Sequence, residues 1–175
     1  MSDIAPSRSI LWSRAAPLAL AILLATIVID QLHKWWMLSV YDIEGKGRVT
    51  VGPYLDLVYV KNIGISYSLF NQESMGGQYL LFAFAVLASL GLWLWLNWSA
   101  GSRLMAVSLG LIIGGALGNA IDRLRLGGVA DFFSFHAFGF HWYVFNIADV
   151  AIVAGVAGLL YDLYLTSRKD AAKSL

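Results

Sequence analysis

The sequence predicts a mainly α membrane protein, a four-transmembrane-helix bundle carrying a small antiparallel sheet on its outer face. Three observations lead there. Of its 175 residues 59% are hydrophobic and only 13% are charged, whereas soluble domains carry roughly 25% charged residues. Aromatic residues reach 14%, with seven Trp and eight Tyr, the types that gather at membrane interfaces. Apolar runs long enough to span recur along the chain, since about 20 residues at about 1.5 Å rise each cross a bilayer core.

The spans are expected at about Ala16 to Leu38, Tyr79 to Trp98, Leu104 to Ile121 and Val144 to Leu165. Pro6, Pro17 and Pro53 stand clear of all their interiors, as continuous helices require. Arg8 and Arg14 before an apolar run resemble a signal peptide, but Ala19-Leu20-Ala21 lies inside that run, so a retained helix is expected. The long connection from Ser39 to Gln78 carries Val49-Thr50-Val51, Leu55 to Val60 and Ile65 to Phe70, three strand-like runs punctuated by Gly45, Gly47 and Gly52-Pro53. They predict an outer sheet over about 42–70, with Asn71 to Gly77 a short interfacial helix or a loop. The whole chain, 1–175, reads as one integral membrane domain.

Four spans put both termini on one side. The tails and the turn at Gly101 to Arg103 hold Arg8, Arg14, Arg103, Arg168, Lys169 and Lys173; the opposite side holds Lys46, Arg48 and Lys61. Setting aside Lys34, Arg123 and Arg125 at the boundary, which read as functional, the positive-inside rule places the termini in the cytoplasm. A net charge of +1 leaves no basic patch for nucleic acid, and the absence of cysteine excludes disulfides, thiolate catalysis and zinc–thiolate sites.

Carboxylates beside hydrocarbon are costly and rarely idle. Asp131 follows the third span and Asp149 starts the fourth, so both belong to one membrane face. Gly110, Gly114 and Gly118, with Ala151/Gly155 and Ala154/Gly158 on the fourth span, repeat small residues every four positions. That spacing lets helices approach closely in lipid and would bring the two acids together. Such a pair keeps one proton and activates a water; the alternative is a helix cap at Asp149 and a surface acid at Asp131. Asp122 and Arg123 form either a terminal ion pair or, with Asn119, a device that orients the acids or a substrate backbone. Asn146 lies three residues before Asp149 and either shares that task or caps the helix. Asp30 and Lys34, at i and i+4, form an inward salt bridge that is structural or holds the site. Asn62 and Gly64 mark a turn or present a substrate-facing amide. The stretch from Phe132 through Phe140, Trp142 and Tyr143 reads as an interfacial belt. His33, His136 and His141 are scattered and no His-Glu-x-x-His pattern exists, so neither a metal nor any other cofactor is expected. No motif supports a Ser-His-Asp triad. A proton-coupled transporter would spread its acids across membrane depth, and a scaffold would tolerate their neutralisation; clustering of Asp30, Asp122, Asp131 and Asp149 at one face favours an enzyme.

Five blocks resemble one family in order and spacing: Asp30-Gln31-Leu32-His33-Lys34, Asn62-Ile63-Gly64, Gly118-Asn119-Ala120-Ile121-Asp122-Arg123, Gly128-Val129-Ala130-Asp131-Phe132 and Phe145-Asn146-Ile147-Ala148-Asp149. The sequence is similar to lipoprotein signal peptidases, also called signal peptidase II. The resemblance implies an intramembrane aspartyl endopeptidase of the bacterial cytoplasmic membrane, with four transmembrane helices and an outer, periplasmic β-cradle. It implies removal of signal peptides from diacylglyceryl-modified prolipoproteins before the lipidated cysteine, without a metal. Asp131 and Asp149 match the catalytic positions; Asp30, Lys34, Asn62, Gly64, Asn119, Asp122, Arg123 and Asn146 match supporting or substrate-binding ones. The partners expected are the prolipoproteins and membrane lipids, with the protein itself a monomer. After Gly64 the family usually shows Ala-Ala-Phe, and here stands Ile65-Ser66-Tyr67, an exchange that bears on substrate contacts.

Overall fold

The computed structural model describes residues 12–64, 74–99 and 101–173. Helix α1 (Ala16–Trp35) continues as a π-helical turn, Trp36–Val40, closed by Tyr41 N–H donating to the Trp36 carbonyl at 2.8 Å. A short helix α2 (Ile43–Lys46) leads to β1 (Val49–Gly52) and β2 (Leu55–Asn62). Then come α3 (Met75–Trp98), α4 (Arg103–Leu126), β3 (Val129–Ala137), a two-residue β4 (Phe140–His141) and α5 (Ile147–Lys173). Four helices are long and apolar enough to cross a membrane, over Ala16–Val40, Met75–Trp98, Arg103–Leu126 and Ile147–Lys169.

Helix α4 is the axis of the bundle: 61% of its apolar window is buried, against 28%, 11% and 17% for α1, α3 and α5. Lipid offers no hydrophobic drive between helices, so contact depends on small residues that let backbones close up. A Cβ at Gly110 would lie 2.7 Å from the Ala19 carbonyl oxygen, and one at Gly114 2.8 Å from that of Leu23. The Gly110/Gly114/Gly118 row therefore packs mainly on α1, with Gly118 also reaching Ala148 of α5. Helix α5 is met one residue further round, where a Cβ at Gly115 would sit 2.5 Å from the Ala148 carbonyl oxygen; lower down, Gly155 closes on Ser108. Gly115→Ala is expected to destabilise the detergent-solubilised protein by about 1–3 kcal/mol, as overpacking does. Thermal unfolding followed by tryptophan fluorescence checks this, and an unchanged midpoint would refute the contact.

The sheet runs β1-β2-β3-β4, antiparallel throughout. Val60 pairs with Asp131 and Asn62 with Val129, beyond an irregularity between Leu57 and Val60. Met37, Ile43, Ala130 and Phe132 form a small core beneath the sheet.

Several expectations need adjusting. The strands at Val49 and Leu55 form, whereas Ile65 to Phe70, and Asn71 to Glu73 of the proposed interfacial segment, lie outside the described residues. Met75 to Gly77 belong to α3, which starts where the Ser74 hydroxyl accepts from Gly77 N–H at 3.2 Å. Helix α4 runs five residues past Ile121, because its polar end is paired inside the protein; Gly127, at φ +70°, ends it in the left-handed conformation. Helix α5 starts at Ile147, because Phe145 is bridged to Phe133 instead. The aromatic stretch begins as strand β3, with Phe132 wholly buried under the sheet, while Phe135, Phe138, Phe140 and Trp142 are exposed.

Candidate active site

Where α1, α4 and α5 converge, three charges hold them together. Lys34 Nζ lies 2.8 Å from Asp30 Oδ2 and 2.7 Å from Asp122 Oδ2, with all three side chains at most 3% exposed. Asp30 Oδ1 accepts from Ala148 N–H at 3.0 Å, satisfying a free donor of the α5 amino end. Asp122 also accepts from Ala130 N–H at 3.2 Å, which ties the start of β3 to α4. Of the two readings of Asp122 and Arg123, the terminal ion pair does not form among the described residues, where Asp122 pairs with Lys34. Adjacent helical residues point about 100° apart, so both cannot face one cleft in the same way. Gln31 completes the cluster, donating to Asp122 at 2.9 Å and to the Gly118 carbonyl at 3.1 Å.

Above this cluster sit the two acids. Asp131 lies on β3 and Asp149 is the third residue of α5. Asn146 caps α5 reciprocally: its Oδ1 accepts from Asp149 N–H at 3.0 Å, and its own N–H donates to Asp149 Oδ2 at 3.2 Å. With that oxygen engaged, its amide nitrogen must face the other way, and it donates to Asp131 Oδ1 at 2.6 Å and to Asn119 Oδ1 at 3.1 Å. Asn119 is oriented by the same logic. Lys34 has only donors, so the atom facing it at 3.1 Å is Oδ1, which leaves Asn119 Nδ2 to donate to Asp149 Oδ1 at 2.9 Å. Asn62, the last residue of β2, donates to Asp131 Oδ2 at 3.3 Å and accepts from Gly64 N–H at 3.0 Å. A buried lysine thus fixes one amide, that amide and a helix cap fix a second, and between them they aim both carboxylates.

Arg123 donates to the Asn119 and Gly64 carbonyls at 3.2 and 3.1 Å. Its Nε is buried with no hydrogen-bond partner among the described residues. Asp131, Asp149, Asn119, Asn62 and Arg123 all border one cavity of about 190 Å³, whose apolar wall includes Leu81 and Phe84 of α3. Every sequence-predicted site residue therefore lies in this network. Asn146 caps α5 and also donates to Asp131. Gln31 and Gln78 were missed, as was Tyr143, which also borders the cavity. Gln31 and Gln78 carried a signal, being lone amides within or at the edge of apolar spans; Tyr143 was submerged in the aromatic run.

Burial, reinforced by the charge of Asp149, pushes the Asp131 carboxyl up to about 7, and the amides of Asn146 and Asn62 offset only part of this. Its folded value lies above its unfolded one, so the native state binds the extra proton, and stability falls as pH rises from about 4 to about 7. The loss reaches up to about 4 kcal/mol, at about 1.4 kcal/mol per pH unit. Raising the pH from 5 to 8 is expected to lower the unfolding temperature of the protein more than that of Asp131→Asn. Parallel curves for the two proteins would contradict it.

Fold and site define the class: a multi-pass membrane protein with a braced carboxylate pair bordering a cavity at one end of its bundle. The family described as signal peptidase (SPase) II matches residues 22–165. The chain belongs to the signal peptidase II family. It is 53% identical over 138 residues to a lipoprotein signal peptidase of Beijerinckia indica, covering 79% of this chain and 82% of that one. It is 49% identical to one of Methylobacterium sp. (strain 4-46), with 89% and 94% covered. A solved structure described as a bacterial membrane enzyme, determined by the in meso method at 2.3 Å resolution, superposes with a TM-score of 0.72 at 25% identity, covering 86% of this chain and 90% of that one.

Proposed function

We propose that Asp131 and Asp149 are the catalytic pair with which this lipoprotein signal peptidase removes signal peptides from diacylglyceryl-modified prolipoproteins. The observation that carries this reading is their common opening: both acids, braced by Asn119 and Asn146, border one cavity whose other wall is apolar. Asp131 is assigned the resting proton, because burial and its neighbour's charge disfavour its ionisation. Asp149 is assigned the negative charge, since it sits in the first turn of α5, where the helix dipole favours an anion.

In the reaction Asp149 takes a proton from a water as its oxygen attacks the scissile carbonyl carbon, and Asp131 protonates the carbonyl oxygen. The tetrahedral intermediate then collapses. The C–N bond breaks, the proton on Asp149 passes to the departing amine of the lipidated cysteine, and Asp131 regains its own. The guanidinium of Arg123 and the amide of Asn62, which both border the cavity, are suited to hold the substrate backbone, and Leu81 and Phe84 to line the path of its acyl chains between helices. The chain is taken to act as a monomer and as a single membrane domain. Arg14, Arg103, Arg168 and Lys169 lie at the bundle end away from the site, which supports cytoplasmic termini and a periplasmic active site in the bacterial inner membrane.

The test is incubation of purified protein with a synthetic lipidated precursor under chelator, followed by mass spectrometry. Cleavage directly before the modified cysteine is expected, with no cleavage of the unlipidated peptide. Equal cleavage of both peptides would overturn the substrate assignment, and loss of cleavage under chelator would overturn a mechanism run by carboxylates alone.

A further inference from the structure

Helix α3 touches the site mostly through apolar side chains, yet its fourth residue is a glutamine only 1% exposed. A buried amide without a partner costs about 1–3 kcal/mol, so its hydrogen bond matters. Gln78 Nε2 donates to the Ile63 carbonyl at 2.7 Å. Ile63 follows the end of β2, where pairing with β3 stops at Asn62 and Val129, so among the described residues no strand partner holds the backbone beyond that point. The three residues 62–64 are instead held by Gln78 on the Ile63 carbonyl, by Gly64 N–H on Asn62 Oδ1, and by Arg123 Nη2 on the Gly64 carbonyl. Two residues tied to this segment border the cavity: Asn62, which grips Asp131, and Arg123, which leans on Gly64.

We propose that Gln78 is a positioning residue for the proteolytic reaction, holding the exit of β2 from α3 so that the Asn62 amide stays on Asp131 and the Gly64 carbonyl stays under Arg123. The inference rests on the assignment of Asp131 and Asp149 made above. Without Gln78 the Ile63 carbonyl loses its donor, the short segment relaxes, and the 3.3 Å contact from Asn62, the longest made by either carboxylate, is the first to open. The other charges facing Asp131 come from α5 (Asp149), α1 (Lys34) and α4 (Arg123).

Gln78→Met keeps the length and removes the donor. Single-turnover cleavage of a lipidated precursor by the full-length protein, normalised to folded enzyme, is expected to fall about tenfold in rate with the substrate concentration for half-maximal rate changed less than about threefold. Its alkaline limb is expected to move to higher pH, because an ionised Asp131 loses a hydrogen bond. Asn62→Ala is expected to move the limb likewise, and Gln78→Met added to Asn62→Ala to move it no further. A purely structural glutamine would lower the folded fraction and leave the limb in place, and that result overturns the proposal. So does a limb shift that survives undiminished in the Asn62→Ala background. If the Met variant does not fold, Gln78→Glu, which cannot donate once ionised, replaces it with the same expectations. Full activity of Asp149→Asn would instead remove the acid pair, and this inference with it; an inactive Asp149→Asn beside an unmoved Gln78→Met removes the Gln78 proposal alone.

Discussion

Purified Asp149→Asn protein is expected to cleave a lipidated precursor at least about a thousandfold more slowly than the parent, while its unfolding temperature stays close to the parent's. Asparagine keeps an oxygen for the Asn119 amide at the position of Asp149 Oδ1. What it cannot do is accept a proton from water, or accept the Asn146 N–H bond at the Oδ2 position, so the base is lost while the Asn119 contact and the Asn146 cap on its own N–H remain. Asp131→Asn is expected to be equally inactive for the opposite reason, having no proton to give to the carbonyl oxygen. A fluorogenic lipopeptide assay in detergent measures both. Residual activity above about a tenth in either folded variant would end the assignment of the pair, since general acid–base catalysis alone contributes about 10²–10⁴-fold.

Lys34→Met is expected to be the most damaging single change to stability. Asp30 and Asp122 would keep their places among α1, α4 and α5 with no cation between them. Leaving buried charges uncompensated costs about 3–5 kcal/mol. For a chain of this size each kcal/mol shifts the midpoint by about 2–4 °C, so a fall of about 6–20 °C is expected in detergent. Activity should be lost as well, because Lys34 fixes the Asn119 amide that serves Asp149. The triple variant Asp30→Asn/Lys34→Met/Asp122→Asn should recover part of the lost stability, since it removes the unpaired charges together. A single variant as stable as the parent, or a triple variant no better than the single, would show that charge compensation is not what holds this corner.

The residues of the site were legible because polar groups stand out against apolar runs: Asp30, Lys34, Asn119, Asp122 and Asp149 each interrupt or border a span. Their partners were less legible. Asp122 reads as the mate of its neighbour Arg123, yet the bond goes to Lys34, 88 positions earlier in the chain. The Gly110/Gly114/Gly118 row announces a close helix contact without saying which helix arrives. β3 was hidden because a strand buried on one side and aromatic on the other shows little alternation, so Phe132 looked like its exposed neighbours. Gln78 stood out as a lone amide at the edge of a span, but its partner was illegible, because its acceptor is a backbone carbonyl that every residue carries.

By itself the sequence determined the spans, the two short strands before the second span, and the set of acids and amides gathered at one membrane face. Hydropathy, strand alternation and the cost of charge near lipid are properties of residues and their near neighbours, so they survive without coordinates. Tertiary structure decided which helix each glycine meets, which carboxylate Lys34 neutralises, which way each asparagine turns, and that Asp131 rides on a strand. Those outcomes depend on donors and acceptors brought within about 3 Å from distant parts of the chain, a condition only the folded bundle supplies.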